Sequence, residues 1–196
     1  VLNRIIQFHK RHTVDYLIKL VICLLLLAFV APYKIELKGE TPITLQTLII
    51  LFCAIGFGWR IALPAVVMYV IAGAAGAPVF AGYSSGIQSL TGPYGGFFFG
   101  FLAATAICGF LAEEEAFNKP LTAILNWFLG HTVIILLGAL WLMKLDPLWK
   151  MRLHDMLPGA LIKSATGALI IQIILKIMQA RRRKTSFDGA DIRQEP

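Results

Sequence analysis

The chain has 196 residues, of which 58% are hydrophobic and only 15% charged, against about 25% charged residues in an ordinary soluble domain. That balance excludes a water-soluble globular protein and places a single domain in a bilayer. The net charge is +7, but the lysines and arginines cluster at the ends of apolar runs, as topology anchors do, and do not form a nucleic-acid surface.

In chain order, Val1–His12 is amphiphilic and leads straight into a full-length apolar run with no small-residue cleavage pattern. It reads as the approach to a membrane span and not as a removable leader. A crossing needs about 20 apolar residues, fewer where flanking side chains snorkel. Candidate spans fall at 14–33, 43–58, 61–76, 95–112, 121–143 and 157–179. The second and third are short and separated by Gly58, Trp59 and Arg60, a tight helical hairpin, and Pro64 lies near the start of its helix, where proline is tolerated. Six crossings put both termini on one side. That side would carry Arg4, Lys10, Arg11, Arg60, Lys119, Arg181, Arg182, Arg183 and Lys184, outnumbering Lys34, Lys38, Lys144, Lys150 and Arg152 opposite. The bias makes the termini cytoplasmic. Residues 1–180 then form one six-helix transmembrane domain, and 181–196 a basic stop followed by a polar cytoplasmic tail, expected to be disordered from Thr185.

In the fourth span Gly92, Gly96, Gly100, Ala104 and Cys108 recur every four residues. Such a stripe lets two helix backbones approach closely. Phe97, Phe98, Phe99 and Phe101 are expected to face mostly lipid or protein, with one of them touching a ligand. Cys23, Cys53 and Cys108 lie singly in separate spans and read as packing residues. His9, His12, His131 and His154 show no metal or catalytic spacing.

Lys163 is the charge that matters. It sits about one turn into the last span, where an ammonium costs roughly 2.5–3.5 kcal/mol on insertion scales and so marks a site. Its helical neighbours Gly159, Ala160, Ser164 and Gly167 make a small, partly polar face, so it is expected to point into the bundle. Lys19 and Lys176, near span ends, are expected to snorkel. No carboxylate lies inside a span, with Asp15 at the edge of the first. An anionic solute would therefore supply the counter-charge. The same lack argues against a proton-coupled pump and against an embedded acid or metal hydrolase. Lys163-Ser164 is no phosphate loop, because Ile162 stands where that motif needs glycine.

Two loops complete the candidate site. The uncharged, glycine-rich segment GAPVFAGYSSGIQSLTGPYGG carries Tyr83, Ser84, Ser85, Gln88 and Ser89. Irregular backbone at membrane depth is tolerated where it lines a cavity. Before the second span, PITLQT places Thr44 and Gln46, with Thr41 or Thr44 equally able to cap the helix.

PITLQT at 42–47, GAAGAPVFAG at 73–82, GPYGGFFFGF at 92–101 and LPGALIK at 157–163 together resemble BioY, the biotin-binding S components of energy-coupling-factor (ECF) vitamin transporters. The likeness keeps order and spacing over nearly all of residues 15–180. It implies an all-α membrane protein, an S-component-like bundle of six transmembrane helices with cytoplasmic termini, lying in the plasma membrane. It implies a carrier and not an enzyme, without cofactor, capturing biotin from outside under closing loops. A transmembrane coupling subunit and ATPase subunits on other chains would drive it. On this resemblance Lys163 meets a polar end of biotin, the carboxylate first, while Thr44, Gln46, Tyr83, Ser84, Ser85, Gln88, Tyr94 and Ser164 supply the remaining hydrogen bonds. The chain departs from the family pattern at Ala160, where an acid is usual, and at Tyr94 and Phe97, where Thr and Tyr are common. The missing acid shifts ureido recognition to Ser164, Gln88 or a backbone carbonyl. Ala28 and Ala31 lack the Ala-x-x-x-Ala spacing used for docking a coupling subunit. An S component for another small vitamin, and a solitary biotin carrier, stay open from the residues.

Overall fold

The computed structural model describes residues 12–35, 43–114 and 120–191. The expectations for residues 1–11, for Thr41 and the rest of the 36–42 loop, for Lys119, and for the last five residues of the tail lie outside the described residues. The described chain is an all-helical bundle with one two-residue ladder. Its elements are α1 (His12–Phe29), β1 (Lys34–Ile35), β2 (Ile43–Thr44), α2 (Gln46–Phe57), α3 (Trp59–Ala74), a 3-10 turn (Ala81–Tyr83), the short α4 (Ile87–Thr91), α5 (Gly95–Glu113), α6 (Pro120–Leu145) and α7 (Trp149–Asp191). Segments His12–Phe29, Gly95–Glu113, Leu121–Leu145 and Trp149–Ile174 are long and apolar enough to cross a membrane. The chain is thus a multi-pass membrane protein.

The second helix starts later than its apolar run. Ile43 and Thr44 pair instead with Ile35 and Lys34 in an antiparallel ladder, which leaves α2 about 18 Å long at 1.5 Å per residue. Leu45 occupies the helix cap and no side chain caps it, so Thr44 serves the ladder and not the cap. α2 is apolar all round and nearly every residue from Ile50 to Phe57 is buried, as expected of a helix enclosed by protein. It turns into α3 through Gly58 alone, at φ +83°. That angle suits glycine, and a Cβ there would lie 2.6 Å from Glu113 Oε1. Glu113 in turn pairs with Arg60 at 2.7 Å. Pro64 is the sixth residue of α3 and leaves the Arg60 carbonyl without its helical donor. The Tyr16 hydroxyl approaches that carbonyl from α1 at 3.4 Å.

The small-residue stripe does what its spacing predicts from Gly96 onward, while Gly92 lies before α5, at the end of α4. A Cβ on Gly96 would strike Trp141 and the Leu137 carbonyl, and one on Gly100 would lie 2.8 Å from the Ile134 backbone. α5 and α6 therefore meet almost backbone to backbone. Cys108 and Asn126 close the far end of the seam, the Asn126 amide donating to the Cys108 carbonyl at 3.0 Å. α5 also packs on α2 and α3, and α7 lies on α6. All three cysteines are free and buried, as expected of packing residues.

Two expectations are corrected. Lys19 does not snorkel: it is 2% exposed and its ammonium meets Asp15 at 2.5 Å. The i,i+4 spacing puts acid and base on one helix face, and that face turns inward, so the pair replaces water for both. The last helix is also far longer than its apolar stretch, running from Trp149 to Asp191. The segment from Thr185 to Asp191 is helical instead of disordered, because once formed a helix extends through good formers such as the Gln179–Lys184 run. Lys163 consequently lies about 21 Å along α7 from its start at Trp149.

Candidate functional site

A cavity of about 480 Å³ opens between α2, α5, α6, α7 and the loop after α3, within the roughly 300–1,000 Å³ usual for small-ligand sites. Lys163 reaches it from α7 and donates to Thr47 Oγ1 at 2.7 Å. That bond joins the first turn of α2 to the middle of α7. Small residues explain the reach: Gly159 and Ala160, one turn before the lysine, line the same cavity, while Gly167 lets α7 close on the Trp127 ring.

The aromatic wall is built from the glycine-rich loop and α5. Phe80 is 1% exposed and folds back over Gly73, where any Cβ would collide with its ring. It meets Tyr69 edge-on at 5.5 Å and Phe98 at 4.6 Å, and Phe98 meets Phe101 at 5.3 Å. A polar chain fixes this loop from below. Gln46 Nε2 donates to the Tyr69 hydroxyl at 2.7 Å, which donates to the Val79 carbonyl at 2.9 Å. The Gly86 amide caps the Gly73 carbonyl at 2.7 Å. Above it, the Gly82 amide donates to the Pro32 carbonyl at 2.7 Å, and the Tyr33 and Tyr83 rings meet edge-on at 5.7 Å. The two loops expected to cover the site are thus tied to each other. Tyr83 lies outside the spans, and hydrogen bonding to Tyr33 holds its phenol above the usual value.

Apolar walls with a few placed polar groups are the form of a small-molecule binding site. Among the described cavity residues there is no carboxylate, and the cations are Lys34 and Lys163. No group of His, Cys, Asp and Glu that could hold a metal occurs among the described residues. A model of the BioY family matches residues 7–180 of the chain. The chain belongs to the BioY family. Its relatives include a Pyrococcus horikoshii protein named as a probable biotin transporter, 31% identical over 68% of this chain and 80% of that one. The Thermotoga maritima biotin transporter BioY is 42% identical over 39% of this chain and 46% of its own length. Biotin transporter BioY2 of Lactococcus lactis is 33% identical over 60% of this chain and 63% of its own. The fold resembles the crystal structure of the S-component for biotin from an ECF-type ABC transporter, with a TM-score of 0.65 at 22% identity over 86% of this chain and 95% of that one. BioY is a family of transporters and not of enzymes.

The structure gathers only some of the residues picked out in the sequence. Lys163, Thr44, Gln46, Ser84 and Tyr94 line the cavity. Tyr83, Ser85 and Gln88 do not. Tyr83 is swung outward by a backbone at φ +60° and is 54% exposed; the Ser85 carbonyl accepts from Ser89; Gln88 faces solvent on α4. Ser164 is fully buried behind the wall, 2.9 Å from His131 Nδ1. Phe97, Phe98 and Phe101 line the cavity. Only Phe99 turns away, 58% exposed beside Trp141. Lys34, Thr47, Ser89, His131 and Met156 also line the cavity, and none of them stands out in the sequence as a ligand contact. Thr47 sits beside Gln46 and His131 one turn beyond Trp127, so helical register was the signal available.

Proposed function

We propose that this chain is the substrate-binding subunit of an ECF-type transporter, capturing biotin from outside the cell and carrying it across the plasma membrane. A transmembrane coupling subunit and ATPase subunits on other chains would supply the energy. The observation that carries the reading is the mainly apolar, partly open cavity into which the Lys163 ammonium reaches, in a chain whose BioY relatives bear the names of biotin transporters. Biotin has a compact bicyclic body, a ureido group and a terminal carboxylate. The Phe80, Phe98 and Phe101 rings suit the body, and Lys163, without an acid among the described cavity residues, suits the carboxylate. Thr44, Gln46, Ser84, Ser89 and Tyr94 are assigned the remaining polar contacts. In this reading α2 and α3 are short crossings, giving six spans with both termini in the cytoplasm. Residues 1–180 form the transmembrane domain, and 181–196 its basic cytoplasmic extension.

The test is calorimetric titration of the purified protein with biotin, thiamine and riboflavin, repeated on Lys163→Ala and Lys163→Gln. Biotin alone is expected to bind, and loss of a charge-assisted hydrogen bond worth about 1.5–3 kcal/mol should weaken it about tenfold to a hundredfold. A wild-type protein that ignores biotin, or a Lys163→Ala protein that binds it unchanged, sinks the assignment.

A further inference from the structure

His131 is 3% exposed on α6 and lines the cavity. Its Nδ1 lies 3.2 Å from the Trp127 carbonyl and 2.9 Å from Ser164 Oγ, while its ring stacks on Trp127 at an interplanar angle of 24°. Those contacts hold the ring plane, and the Trp127 carbonyl favours one tautomer. A carbonyl can only accept, so a proton on Nδ1 satisfies the Trp127 contact and is compatible with the serine. A bare Nδ1 would instead set its lone pair against the carbonyl oxygen. The proton on Nδ1 leaves Nε2, on the opposite edge, as an acceptor.

That Nε2 is buried and has no hydrogen-bond partner. Among the described residues, the other buried side-chain nitrogens and oxygens in that condition belong to Trp59, Asn126, Trp127 and Gln172, none of which lines the cavity. A buried acceptor left unpaired is costly, and buried polar groups in native structures nearly always find a partner. On the same wall Thr47 Oγ1 already accepts from the Lys163 ammonium, and the Ser84 and Ser89 hydroxyls donate to the Ala81 and Ser85 carbonyls.

We infer that His131 is a specificity residue of the binding site, its Nε2 accepting a hydrogen bond from a ring N–H of the bound ligand. This rests on the biotin reading, in which the ring N–H groups belong to the ureido moiety. Ser164 and the Trp127 carbonyl act as positioning groups, holding the acceptor edge toward the ligand. The site thereby selects for a cyclic amide or ureide with a free N–H and discriminates against the same ring when that nitrogen is blocked.

The test titrates the full chain in detergent with biotin and with its two ring-N-methyl derivatives, using wild type, His131→Phe and His131→Gln. Wild type should bind one derivative about tenfold more weakly than biotin, the loss expected when a buried hydrogen bond goes unmade. His131→Phe should bind biotin about tenfold more weakly and no longer distinguish it from that derivative. His131→Gln, whose amide can present an oxygen near Nε2, should retain the discrimination, and a purely structural role for His131 would not move this ratio. If His131→Phe does not fold, a wild-type protein that binds both derivatives as well as biotin still overturns the inference, as does a folded His131→Phe that keeps the discrimination. Failure of wild type to bind biotin overturns the transport reading itself, and this assignment with it.

Discussion

At the scale of single residues, the Lys163–Thr47 hydrogen bond ties two helices far apart in sequence at 2.7 Å. The ammonium is half-buried, so a partner that orients it also limits the cost of desolvating it. Thr47→Val keeps the volume and removes the acceptor. Biotin affinity should fall about tenfold in the wild-type background and scarcely change in a Lys163→Ala background, because partners in one interaction give non-additive effects. Calorimetry on the two single variants and the double variant measures this, and additive losses would show that Thr47 acts elsewhere. Lys163 was legible in the sequence because a charge inside an apolar span is rare and costly. Its acceptor was not. Thr47 and His131 are ordinary residues in apolar runs, made notable only by helices that place them opposite α7. The reverse holds for Tyr83 and Gln88, which sit in a polar loop beside the cavity but are turned away, Tyr83 by a positive φ and Gln88 by its place on α4.

At the scale of elements, the α5–α6 seam shows how glycine spacing becomes helix contact. The stripe at Gly96 and Gly100 is answered from α6 by Gly130, against Leu51 and Cys108, and by Gly138, against the Phe97 ring. Two glycine-bearing helices can then pack without a hydrophobic driving force between them, through close van der Waals contact and the Asn126–Cys108 hydrogen bond. Gly100→Val would push a branched side chain into the Ile134 backbone, which cannot rotate away. The variant should be destabilised by about 1–3 kcal/mol, the usual cost of overpacking, read as a lower midpoint of thermal unfolding in detergent. Because Phe98 and Phe101 flank this position on the cavity wall, biotin affinity should fall with it; an unchanged midpoint would mean that the helices do not meet there. Periodicity carried this packing in the sequence, and it carried the long spans as well. The ends were harder. The ladder at Lys34–Thr44 shortened α2, and helix-forming polar residues carried α7 well past its apolar stretch, since hydropathy reports where a helix meets lipid and not where its hydrogen bonds stop.

At the scale of the whole molecule, the two ends of α2 separate two chemistries. Its start, at Gln46 and Thr47, belongs to the cavity. Its other end, about 18 Å away, turns at Gly58 beside the Arg60–Glu113 ion pair. Arg60 is one of the cations whose distribution orients the chain, and arginine near a short turn favours the cytoplasmic side. If that turn faces the cytoplasm, the cavity and its loops face outward, as capture from outside requires. The orientation is testable with single engineered cysteines, since the native Cys23, Cys53 and Cys108 are free but buried and should react slowly. Ser84→Cys places a thiol on an exposed loop position that also lines the cavity. It should be modified by a membrane-impermeant maleimide added to intact cells, and biotin should slow that reaction. Arg60→Cys, whose parent side chain is largely exposed at the opposite end, should be modified only after the membrane is opened. The reverse pattern would invert the bundle, turning the cavity toward the cytoplasm and leaving a protein that could release biotin inward but not capture it from outside.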